Sequence, residues 1–151
     1  MFISAEELKT VAYSYQISEI SEGDEDIPLA AINTAIEEVK GYLRSNDKRE
    51  YMDGRRVYDV AAIFSATAEN RNPLILQYTK VVALWHAIIL CNVDIIHEHV
   101  KERYDRVIDY LKKVNKGDVT LDLPLLEEEG GGDGTQKKPF RFGSRKKFNH
   151  E

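Results

Sequence analysis

The sequence predicts a mainly α protein: a small helical bundle of about four helices with a short C-terminal β segment and a disordered tail. Three observations carry that prediction. Apolar residues recur at steps of three and four over residues 27–45 and again over about 95–115, which puts them on one side of a helix. Between these stretches an Asn-Pro pair opens a long apolar segment at 74–91. Beyond residue 126 the periodicity stops, and glycine and charge take over. The predicted organisation is a helical domain over 1–126, then a flexible Gly/charge linker and basic-aromatic tail over 127–151.

The first element is a short helix at about 5–13. Ser4 and Glu7 have capping-box spacing, and Ile3 and Leu8 have the spacing of a hydrophobic staple. The acidic stretch SEISEGDEDIP that follows reads as a loop, ending at Asp24 or Asp26 as the cap of the next helix, with Pro28 in its first turn. In that helix, about 27–45, Leu29, Ile32, Ile36, Val39 and Leu43 form one stripe, while Glu37, Glu38 and Lys40 are expected to face water. Gly41 costs up to ~1 kcal/mol against Ala and would mark a close helix contact.

SNDKREYMDGRR, residues 45–56, is mostly charged and turn-forming, with Asp53-Gly54 as a strong turn signal. Val57, Val60, Ala61 and Phe64 allow a short helix, and Tyr51 to Tyr58 allows a small hairpin. Asn72-Pro73 then caps the third major helix, apolar on nearly every side through Leu74, Tyr78, Val81, Val82, Trp85, Ile88, Ile89 and Cys91. Such a helix is central in its domain or lies against a partner. After a break at Asn92 to Asp94, the fourth helix carries Ile96, Val100, Tyr104, Val107, Ile108 and Leu111 on one side. Gly117 stands at its C-cap, and Lys112, Lys113 and Lys116 lie at the negative end of its dipole. VTLDLP alternates apolar and polar, as a short strand ended by Pro124 would.

Composition excludes several classes. The chain has 151 residues and a mass of 17.3 kDa, enough for one domain and a tail. Its one cysteine, Cys91, rules out an internal disulfide scaffold and a Cys-rich zinc module. No apolar run is expected to approach the ~18–20 residues that span a bilayer. The start MFISAEELK shows no basic region followed by an apolar stretch, so synthesis in the cytoplasm is expected. Net charge is −5, yet Lys137–Phe148 holds six Lys/Arg and no acid, so the remainder sums to −11. A body that acidic repels a phosphate backbone, which argues against a duplex-binding domain.

Catalytic signatures are missing. The sequence contains no GxSxG, GxxxxGK[ST] or GxGxxG, and Gly130-Gly131-Gly132 follows three glutamates that would repel phosphate. His97 and His99 with Asp94 and Glu98 are spaced so that the two histidines diverge on a helix, and HExxH is absent; a solvated first turn is the plainer reading. His86 reads as a core or interface histidine and Cys91 as a small buried hydrophobe. Glu6–Glu7 and Glu37–Glu38 belong to expected solvated faces. The expectation is a protein without catalysis, cofactor or metal.

The tail is the unusual feature. Phe140, Phe142 and Phe148 alternate with Arg141, Arg145, Lys146 and Lys147, whereas a purely solubilising terminus is poor in aromatics. These seven residues are the candidate partner-binding set. Docking on an acidic protein is the first reading. Binding of single-stranded nucleic acid by stacking and phosphate contact, in a regulatory protein without enzymatic activity, is the alternative.

The order of features also resembles a known family. The opening SAEEL, the helix ending AIEEVKGYL and the run VKERYDRVIDYLKKVNKGDVTLDLP resemble the Mu-like prophage head–tail connector (neck, head-completion) proteins. In that family a T-x-x-D/E-L start leads to a helix ending D/E-x-x-x-G-Y-L, here Glu37–Leu43. A later helix carries R-Y-x-x-A/V-x-x-x-L, here Arg103-Tyr104 to Leu111, followed by a G-x-hydrophobic-x-L turn, here from Gly117 towards Leu123. FRFGSRKKF is similar to the short Arg/Phe motif that often closes those chains. Where the family's middle segment often has Tyr-x-x-Pro, this sequence has Tyr51-Met52-Asp53-Gly54.

The resemblance implies a small helical adaptor of the virion neck, made in the bacterial host cytoplasm. It would assemble as a ring beneath the portal protein, extend the DNA channel and present a surface to the tail-completion proteins. No membrane is involved, and DNA passes only as cargo. No catalytic residues are implied, and the tail would grip the portal or a neighbouring subunit.

Overall fold

A computed structural model of the chain describes residues 2–44, 56–91 and 98–126. The described part is a small helical bundle. After a 3₁₀ helix at Ala5–Thr10 come α1 (Ser14–Ile20), α2 (Asp26–Leu43), α3 (Val60–Ser65), a 3₁₀ turn at Ala68–Asn70, α4 (Pro73–Leu90) and α5 (Glu98–Lys116).

Local chemistry explains the boundaries. The Ser4 N–H donates to Glu7 Oε2 at 3.0 Å, and the stapling residues Ile3 and Leu8 are fully buried. The helix they start is a 3₁₀ turn rather than the longer helix expected, and the chain re-enters a helix at Ser14. Helix α1 thus occupies the start of what reads as a loop. Asp24 Oδ1 accepts from the Asp26 N–H at 2.9 Å, where α2 begins. Asn72 Oδ1 accepts from the N–H groups of Leu74 and Ile75 at 3.0 and 3.1 Å, and Asp59 Oδ1 from that of Ala62 at 2.9 Å. At the end of α5, Gly117 has φ +87°, with its own N–H bonded to Val114 O and that of Asp118 to Lys113 O. That is a Schellman turn, which reverses the chain and uses up two orphan carbonyls.

Helices α2, α4 and α5 pack on one another to form the core, and α2 and α4 also rest on the N-terminal 3₁₀ helix. Ile32, Val39, Ile75, Val82 and Leu111 are fully buried there. Helix α4 is also long and apolar enough to cross a membrane by length and composition, once Gln77, Lys80 and His86 are counted within it; half of it is buried in this bundle. The α2 stripe is rotated from the expected one. Ala31 and Ala35 are fully buried, while Leu29 is 40% exposed. Gly41 marks no close contact: it is exposed, and a Cβ there would meet nothing within 4 Å.

The expected β segment is not a strand. Residues 120–126 run extended with one isolated bridge, Tyr58 to Leu125. Leu121 and Leu123 are buried and Thr120 and Asp122 exposed, so the alternation reflects an extended segment lying on helices rather than a paired ladder. Its backbone is held by Asp59 N–H to Pro124 O and Leu126 N–H to Val57 O, both 2.9 Å, and by Leu121 N–H to Tyr58 Oη at 3.0 Å.

Candidate partner-docking site

The seven tail residues Phe140, Arg141, Phe142, Arg145, Lys146, Lys147 and Phe148 lie outside the described residues, as do Asp94 and His97. The helical body offers two other places where chemistry-bearing side chains converge.

The first is a polar seam where α2, α4 and α5 meet. Glu38, expected on a water face, is half-buried. Its Oε2 lies 2.6 Å from His86 Nε2, and its Oε1 accepts from the Tyr104 hydroxyl at 2.8 Å. Trp85 stacks on Tyr104 with ring centroids 5.4 Å apart. Burial, and then the bond to the Glu38 carboxylate, push the Tyr104 phenol well above its ordinary range, so the hydroxyl stays a donor. A carboxylate, an imidazole and a phenol in contact could move protons. None of the three, however, lines either of the two grooves beside α1. Their mutual bonds tie α2, α4 and α5 together.

The second is a half-open groove of about 670 Å³ walled by the N-terminal segment, α4 and α5. Its floor is a small apolar cluster of Ile20, Leu84 and Ile88, with Val11, Ala12, Cys91 and Val100 packed around it. On its rim Tyr13 and Tyr15 are 69% and 64% exposed, and their rings stack at 5.7 Å. Lys9, His99 and Arg103 also line it, against one acid, Glu19. Burial, followed by the fields of Glu22 and Asp24, pushes the Cys91 thiol up, so this cysteine is a poor nucleophile.

An arginine holds the N-terminal wall in place. Arg71 grips both oxygens of Glu7, at 2.7 and 3.0 Å, and also donates to Phe2 O at 2.7 Å. Those bonds hold the Glu7 carboxyl down at about 2. Further along, the buried Lys80 donates to Thr10 Oγ1 at 3.3 Å. The wall is thus tied at two points before it reaches Tyr13, to Arg71 just ahead of α4 and to Lys80 within it.

No family model, curated protein or solved structure matches this chain. The site is therefore read from its own chemistry. Among the described residues no group of three His, Cys, Asp or Glu is placed to hold a metal. Glu98 and His99 stand exposed at the start of α5. A groove with an apolar floor, an aromatic rim and a few charges has the anatomy of a peptide-docking surface.

Sequence reasoning missed Tyr13, Tyr15, Arg71 and Glu38. Glu38 and Arg71 find partners 48 and 64 residues away along the chain, which no local pattern can signal. The two tyrosines did carry a signal: they are large aromatics outside any apolar stripe.

Proposed function

We propose that this chain is a structural head–tail connector of a tailed phage or prophage. It is an adaptor without enzymatic activity that docks beneath the portal, extends the DNA channel and offers a surface to the tail. One observation supports this reading above the rest. Two of the stretches that carry the resemblance, AIEEVKGYL and VKERYDRVIDYLKKVNKGDVTLDLP, are the C-terminal half of α2 and α5 from Val100 onward with its return. They are bonded to each other: Tyr104 to Glu38, and Asn115 Nδ2 to Tyr42 O, both at 2.8 Å. The motif residues thus do one shared job, building a rigid body, which is what an adaptor needs in order to transmit a fixed geometry between two rings.

The acidic body fits a channel through which DNA slides, since like charge gains nothing from counterion release. The basic-aromatic tail makes the contact with the portal or a neighbouring subunit.

Co-sedimentation with the portal protein from the same genome tests this. The full chain is compared with a Phe140→Ser, Phe142→Ser, Phe148→Ser variant at two salt concentrations. Binding lost in the variant supports the connector and gives the tail its role. Equal binding keeps the connector and moves the contact to the body. If neither binds, and the full chain instead holds a single-stranded oligonucleotide in a salt-sensitive, tail-dependent way, the connector reading is overturned in favour of nucleic-acid binding.

A further inference from the structure

We infer that the groove between α1, α4 and α5 receives Leu125–Glu129 of a second copy of this chain, joining copies head to tail. This rests on the connector reading only for its setting in a ring; the contact itself is argued from the chain.

The body carries an apolar projection that matches the groove. Leu125 and Leu126 are 48% and 53% exposed. Their backbone is not loose: Leu125 bridges Tyr58, and the Leu126 N–H is bonded to Val57 O at 2.9 Å. Two adjacent leucines held outward on a fixed backbone are already ordered, so docking them costs little conformational entropy. Three glutamates, Glu127 to Glu129, follow directly in the sequence.

The groove has the opposite character. Its floor is Ile20, Leu84 and Ile88, with the exposed Tyr13 and Tyr15 on the rim to cover an incoming aliphatic chain. Lys9 and Arg103 outnumber the single Glu19 among its charges, with His99 beside them. In a chain of net charge −5, a locally cationic apolar groove is the unusual place, and a Leu-Leu-Glu-Glu-Glu segment complements it in both respects. The basic tail does not, because Lys9 and Arg103 repel it.

Projection and groove do not share residues. None of Val57, Tyr58, Leu125 and Leu126 lines the groove. A copy whose segment sits in the groove of the next keeps its own groove open for a third, and such a head-to-tail contact closes into a ring or runs on as a filament.

Sedimentation velocity on the full chain tests this with two exposed-site variants, Leu126→Asp and Arg103→Glu, each checked for helicity by circular dichroism. The wild type should form species above the monomer as concentration rises. Either variant alone should associate at least about tenfold more weakly, from the lost leucine burial or the reversed charge. Mixed one to one, they should form a heterodimer and nothing larger, since the intact groove of one meets the intact segment of the other.

A wild type that is monomeric at every concentration, variants that associate like the wild type, or a mixture that stays monomeric each overturn the inference. So does loss of association in the Phe140→Ser, Phe142→Ser, Phe148→Ser variant, which would make the tail the occupant. Failure here with portal binding intact removes this contact alone. Intact self-association with no portal binding removes the connector reading and leaves the contact standing.

Discussion

The first two-thirds of α4 and its last two turns are built from the same kind of residue but meet different surroundings. Ile75, Thr79 and Val82 are fully buried, in the shell made by α2, α5 and the N-terminal staple of Ile3 and Leu8. Leu84 and Ile88 have only Ile20 and a few half-buried neighbours, and Ile89 and Leu90 are each 51% exposed. The helix is apolar almost to its end, but the described elements seal only part of it. Apolar surface in excess of what the fold covers marks where a molecule is prepared to meet another.

Three substitutions sharpen that contrast, in falling order of effect. Leu111→Ala in the sealed core should cost about 3–4 kcal/mol, because a fully buried leucine leaves a cavity that tight packing cannot close. The urea midpoint should fall with little change in slope; a loss under about 1 kcal/mol would show that the core is looser than its burial implies. Leu84→Ala in the satellite cluster should cost about 2 kcal/mol, since neighbours beside an open groove can collapse and water can enter. Equal losses at the two sites would erase the distinction between sealed and open regions.

The smallest effect is expected at the clamp. Arg71→Ala should cost about 1 kcal/mol near neutral pH, allowing for solvent screening of a partly exposed pair. Its pH dependence is the sharper readout. In the folded chain the bonds from Arg71 hold Glu7 down at about 2, below the ordinary glutamate value of about 4.3 in the unfolded chain. The clamp's contribution is therefore complete above that ordinary value and is lost as pH falls towards 2. Thermal melts of wild type and variant should differ most above pH 4.5 and converge in acid. A gap that stays constant down to pH 2 would mean that Arg71 acts through Phe2 O rather than through Glu7.

Much of the bundle was legible because its main helices are long and well marked. Asn72-Pro73, Asp24 with Pro28, and Gly117 stand where the caps form, and Val39, Leu43, Val107, Ile108 and Leu111 lie on the faces their spacing assigned. Helix α1 was not legible, because seven residues with two isoleucines make too little of a period to register. Leu29 misled for a different reason. Reading stripes by side-chain size favours the large residue, whereas Ala31 and Ala35 are the ones buried, and small side chains let two helices approach closely. VTLDLP shows that a period of two records which side chains are covered and does not record whether the backbone is paired. Of the candidate site, the tail was visible by composition alone. The groove was invisible, because it is assembled from 3₁₀, α1, α4 and α5 residues that have no pattern in common.

The contact between Trp85 and Tyr104 has a practical side. Trp85 is the single tryptophan of the chain, and it sits beside His86 on the seam where α4 meets α5. Its fluorescence therefore reads one place only, with a tyrosine close enough to pass excitation to it. The molecule carries its own optical gauge. Loosening of that seam by denaturant can be followed without attaching any dye.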